Sequence, residues 1–203
     1  YAILVGAVVG VSAILAFPLS VPDSGDWWRG VIVTLGESLR ALSPGTDSVF
    51  FDQLIEVFSA RASTMTGMVV SAAIFIGIVM MLMGRWWHAI LDNPGGFSRE
   101  FRQLNLERRI SIVVLLTLVF SYFVGGAVSA FGYEGFSIAF VLFIFQGLAV
   151  AHAVVAQTGA WTGWLLVMYV LLVLAPQMLL ILATAGFLDT WFDFRKRVRS
   201  RTT

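Results

Sequence analysis

Apolar positions in this chain collect into long runs rather than the alternating faces of a water-facing fold, and the runs set the first reading. A helix needs about 20 apolar residues to cross a bilayer, at about 1.5 Å per residue. Runs of this order occupy residues 2–19, 64–83, 110–131, 136–156 and 161–191. The predicted fold is all-α, a polytopic transmembrane helix bundle with about five membrane segments. The whole of 1–203 reads as a single membrane domain. Its first residue is Tyr1 and the apolar run begins at once, so it reads as a fragment whose native N-terminus lies upstream.

The segments between the runs have their own signals. Residues 23–62 are acid-rich, with Trp27 and Trp28 as interfacial anchors. Asp47 and Ser48 are N-cap residues for a short helix carrying Phe50, Phe51, Leu54, Ile55, Val57 and Phe58. This predicts a surface-lying amphipathic connector. Residues 85–109 form a basic loop, opened by Asp92-Asn93-Pro94-Gly95-Gly96, a turn and helix breaker. Gly132-Tyr133-Glu134-Gly135 predicts a second tight turn, between the third and fourth runs. Pro176 predicts a kink in the fifth run, or a fold-back into a re-entrant hairpin. Residues 192–203 are a basic tail. Gly6 and Gly10 have the spacing that brings helices close, whether inside one chain or across a dimer.

Composition names the solvent. Hydrophobic residues make up 59% of the 203 and charged residues 12%, with a mean hydropathy of +0.88. Soluble domains carry about 25% charged residues, so an aqueous fold could not hide this much apolar surface and the bilayer is the expected partner. A net charge of +1 gives no general attraction to nucleic acid. The charges do report on sidedness. Arg85, Arg99, Arg102, Arg108 and Arg109 make the loop cytoplasmic, and Arg195, Lys196, Arg197, Arg199 and Arg201 do the same for the tail. Three apolar segments separate loop and tail, however, and three crossings would put them on opposite sides. The two assignments conflict if every segment spans.

Candidate chemistry is sparse. With no cysteine and only His88 and His152, thiolate chemistry is excluded and a multi-histidine metal site is not expected. No nucleotide-binding, hydrolase or metalloprotease motif occurs, so the chain reads as non-enzymatic, without a cofactor. Polar residues inside apolar runs are the candidates for ligand binding: Gln146, His152 and Gln177. Gln146 and His152, six positions apart, fall on different helix faces. A structural reading gives His152 a neighbouring hydrogen bond and Gln177 a carbonyl freed by Pro176. Asp189 and Asp193, at i and i+4, would share a helix face and pair with the adjacent cations.

Three stretches resemble the YybS-like family of bacterial multi-pass membrane proteins, whose function is uncharacterised. They are Gly84-Arg85-Trp86-Trp87-His88 running into Asn93-Pro94-Gly95-Gly96-Phe97-Ser98-Arg99-Glu100-Phe101, then Gln146 to His152, then Gly186 to Arg195. Asn93, Gly95, Gly96, His152, Asp189 and Asp193 are the motif positions. The resemblance implies a bacterial inner (cytoplasmic) membrane location and a distant relation to substrate-capture subunits of energy-coupling-factor transporters. The leading expectation is an accessory or structural subunit with other membrane protein subunits as partners. The alternative is a small-molecule-binding transporter subunit.

Overall fold

A computed structural model of the chain describes residues 8–13, 16–17, 20–21, 24–124 and 126–202, and among these all regular structure is helical. Helices α1 (Ser24–Leu42) and α2 (Ser48–Ser59) precede a 3-10 turn at Ala62–Thr64. Then come α3 (Met65–Asp92), α4 (Gly96–Arg102), α5 (Arg108–Val124), α6 (Gly126–Thr158), α7 (Gly163–Leu174), α8 (Met178–Phe192) and α9 (Phe194–Thr202). The described residues form two compact units: Tyr1–Ile74 with Leu118–Ile138, and Phe75–Thr117 with Ala139–Thr203. The long helices contribute residues to both.

Among the described residues, two helical segments are long and apolar enough to cross a membrane, Ala62–Asp92 and Phe131–Thr158, each with a mean hydropathy of 2.3. Their surroundings differ. The apolar window of Phe131–Thr158 is 67% buried within the chain, that of Ala62–Asp92 only 17%. Along α3, Ile76, Met80, Met83 and Trp87 all face outward. The expected runs 110–131 and 161–191 are not single long helices, and much of the run 2–19 lies outside the described residues.

In the first unit, Asp47 caps α2 as expected, its carboxylate accepting the Val49 N–H at 3.0 Å. The connector is more ordered than a surface-hugging strap. Residues 24–42 form a helix of 19 residues that the sequence reading did not anticipate. Gly36 allows α1 and α2 to approach, since an added Cβ would lie 2.5 Å from the Ile55 side chain. Arg40 of α1 pairs with Asp52 of α2. Trp28 Nε1 donates to Thr66 Oγ1 at 2.9 Å and fixes α1 to the start of α3. Gly6 lies outside the described residues. Gly10 is buried against Ile74, Val70 and Ile138, which is internal packing.

The predicted turn at 132–135 is absent, and α6 runs through it for 33 residues, about 50 Å. The glycine serves close approach instead. A Cβ on Gly132 would fall 1.9 Å from Ser121 Oγ of α5, and one on Gly67 of α3 would fall 2.7 Å from Glu134. Glu134 is therefore a buried carboxyl inside a helix, 5% exposed, rather than a turn residue. Earlier in the chain, α5 ends at Val124 and α6 starts at Gly126.

The second unit corrects the expectation of a single kinked helix at Pro176. The stretch 161–191 is not one kinked helix, because α7 stops at Leu174 and α8 starts at Met178. Pro176 excludes its predecessor from helical geometry, and Ala175 adopts φ −133°, ψ 82°. Helices of 12 and 15 residues are about 18 and 22 Å long, each shorter than a bilayer core of about 30 Å. Where α6 and α8 cross, an added Cβ on Gly147 would lie 2.0 Å from the Leu182 carbonyl oxygen, and one on Gly186 2.1 Å from that of Phe143. These glycines let two backbones touch.

Candidate functional site

The turn at Asn93–Gly96 is built by its residue types. Gly96 N–H donates to the Asn93 carbonyl at 2.9 Å, Pro94 occupies the second position, and Gly95 has φ 81°, ψ −5°. These are the values of the third position in a type II turn, which favours glycine. Gly96 is buried beside the Asn93 side chain, 2.4 Å from where its Cβ would be. The turn delivers α4 alongside α3, where Glu100 takes Arg85 Nε at 2.7 Å. That bond, ahead of the charge attraction, holds the exposed Glu100 carboxyl below its ordinary range.

At the next level, Gln146 of α6 is wholly buried and fully used. Its Oε1 accepts the Leu106 N–H at 2.9 Å, and its Nε2 donates to Asp189 Oδ2 at 2.9 Å and Asn105 Oδ1 at 3.2 Å. A backbone donor on one side and a carboxylate on the other dictate which way the amide points. Asp189 Oδ2 also takes Arg195 Nη2 at 2.7 Å, and Oδ1 takes the Phe194 N–H at 3.0 Å. Arg195 Nη1 then donates to the carbonyls of Leu104 at 2.8 Å and Arg102 at 3.1 Å. Arg108 lies over the Trp191 ring at 4.2 Å, and Thr190 donates to Ser111 at 2.9 Å.

This cluster is a lock. It ties the loop 102–106 and the start of the tail to α6 and α8, with its buried charges compensated inside the chain. Gln146, expected to face a ligand, has protein partners at its oxygen and for both amide hydrogens. Asp189 and Asp193 do not share a helix face, because α8 ends at Phe192 and Asp193 takes a left-handed conformation, φ 46°. Asp193 instead starts α9, accepting Lys196 Nζ at 2.6 Å. Partial burial pushes its carboxyl up, but Lys196 and Arg195 outweigh this and hold it below the ordinary range.

His152 lies elsewhere in the same unit. Its Nδ1 is 2.8 Å from the Leu148 carbonyl oxygen, which only accepts, so Nδ1 carries the hydrogen and Nε2 of the neutral ring is an acceptor. Tyr169 Oη of α7 is 3.5 Å from Nε2, and the rings of Phe101 and Tyr169 meet the imidazole edge-on at 5.4 and 5.9 Å. These groups border a cavity of about 280 Å³, with Phe97, Phe101 and Phe145 as aromatic walls and Ser98 as a further polar group. The volume lies near the lower end of small-molecule sites, about 300 Å³. Gln177 is exposed and bonds no freed carbonyl through its side chain; it borders neither this cavity nor the Gln146 cluster.

The structure thus brings together the stretches 93–101, 146–152 and 186–195, through Phe101 on His152, Gln146 on Asp189 and Arg195 on the loop carbonyls. Sequence reasoning missed the bonds of Asn105 and of the Leu106 N–H, which come from a loop with no pattern of its own. It also passed over Gly147 and Gly186, although a glycine in an apolar run is a signal for close helix contact. Comparisons with protein-family models, with curated proteins and with solved structures find no match for this chain.

Proposed function

We propose that this chain is a multi-pass membrane protein that acts as an accessory or structural subunit of a larger membrane assembly. The observation carrying this reading is the outward apolar surface of α3, 17% buried over its most apolar window although its mean hydropathy is 2.3. Water would penalise that surface by about 25 cal/mol per Å², whereas lipid or another apolar helix accepts it. Gln146 and Asp189 support a holding role, since their hydrogen bonds go to the chain itself. The resemblance to YybS-like proteins adds the bacterial cytoplasmic membrane as the location. Gentle detergent extraction and native mass measurement should find a second protein bound through more than about 1,000 Å². A stable lone monomer would refute the assembly role, and recovery in the aqueous supernatant would refute the membrane.

A topology goes with this reading. Arg195 donates to the carbonyls of Arg102 and Leu104, so the basic loop and tail lie together and belong on one face. On this reading an even number of crossings separates them, with the broken pair α7–α8 entering and returning. The chain has no cysteine, so single replacements report cleanly. Ser98→Cys and Lys196→Cys should react with an impermeant maleimide from the same side, and Gly45→Cys from the other. Labelling of positions 98 and 196 from opposite sides would overturn the topology.

A second reading, a small-molecule-binding transporter subunit, is favoured by one observation, the aromatic cavity beside His152. A ligand co-purifying in that cavity would support it.

A further inference from the structure

We infer that the cavity beside His152 is a binding site for a flat, lipophilic molecule of about two fused rings carrying one hydrogen-bond donor. The size follows from the volume, about 280 Å³, against about 150 Å³ for a cavity that holds benzene. The shape follows from the walls. Phe97 and Phe101 on α4 have their ring planes 16° apart with centres at 5.9 Å, and Phe145 on α6 adds another ring. Aromatic walls favour a flat aromatic guest, by offset or edge contacts.

The polar requirement follows from the imidazole. With a single ring hydrogen, which the Leu148 carbonyl takes at Nδ1, the imidazole presents Nε2 as an acceptor at the cavity. Its hydrogen-bonding neighbour there among the described residues, Tyr169 Oη, stands at 3.5 Å, the outer limit of a hydrogen bond. A guest hydroxyl or ring N–H can come closer and bind Nε2 better. The Tyr169 and Ser98 hydroxyls remain for any acceptor on the same guest. The imidazole is gripped by Phe101 and Tyr169 and so is already oriented, which lowers the ordering cost of binding.

This inference deepens the ligand-binding reading above and rests on it. The probe is 2-naphthol, followed by its own fluorescence on the full chain in lipid nanodiscs, with naphthalene as the partner lacking a donor. The wild-type chain should bind 2-naphthol saturably and at least tenfold more tightly than naphthalene. His152→Leu should remove that preference. Ser98→Trp, at an exposed position on the cavity rim, should block both ligands by at least tenfold while leaving the thermal melt unchanged. Equal binding of the two probes, unaltered by His152→Leu, would overturn the donor requirement and with it the inference. Saturable binding that survives Ser98→Trp would place the guest elsewhere, overturning this site but not the ligand-binding reading. Absence of saturable binding, or an acyl chain that 2-naphthol fails to displace, would overturn the site as well.

Discussion

The Asp189–Arg195 pair offers the sharpest test of the lock. Asp189 is 3% exposed and the Arg195 side chain 13%, so the pair is little screened by water. Asp189→Asn keeps the shape and an oxygen for the Phe194 N–H, but leaves the guanidinium without its counter-charge. Removing one partner of a buried pair costs about 3–5 kcal/mol, a large part of a total stability of about 5–15 kcal/mol. Arg195→Met should cost a similar amount, since it strands the carboxylate and releases the Arg102 and Leu104 carbonyls. The double variant should cost less than the sum of the two, with a coupling of about 2 kcal/mol, because no lone buried charge remains. Reversible unfolding in mixed micelles, followed by tryptophan fluorescence, measures all three against wild type. Losses that simply add, or an Asp189→Asn variant within about 0.5 kcal/mol of wild type, would show that the pair does not hold this unit together.

Other outcomes follow from backbone and charge. Gly95→Ala should destabilise by about 1–2 kcal/mol in a thermal melt, because alanine must enter the left-handed region, φ 81°. Gly84→Ala, in α3 with open space around it, should instead stabilise by about 0.5–1 kcal/mol. Gly147→Ala should cost about 1–3 kcal/mol or more, since the methyl meets the backbone of Leu182 at 2.0 Å and no side chain can yield. Cross-linking between α6 and α8 should weaken with it. Glu100 and Asp193 have carboxyls held below their unfolded values, so their contribution to stability is present above the ordinary carboxylate range and lost as pH falls through the lowered values. Melting temperature should therefore drop on acidification below about pH 4, and by less in Glu100→Gln; an unchanged acid profile in that variant would remove the Arg85–Glu100 contribution.

Local chemistry made several features legible in the amino-acid order alone. Asp47 announced the cap of α2, Asn93-Pro94-Gly95-Gly96 a helix-breaking turn, and the uninterrupted apolar run after Thr64 a long helix, because each depends only on near neighbours. The same reasoning failed where a residue type serves two purposes. Gly132 and Gly135 suggested a turn, yet glycine also permits close packing, and contact with Ser121 decides between them. Pro176 was bound to interrupt a helix, but whether it bends or ends it depends on what the freed backbone meets. The partners of Gln146 come from positions 40 to 43 residues away, and no local pattern encodes such distances. Tertiary structure alone joined the basic loop to the basic tail. Arg195 reaches the Arg102 and Leu104 carbonyls because a buried guanidinium needs oxygens on every side, and the fold supplies them there.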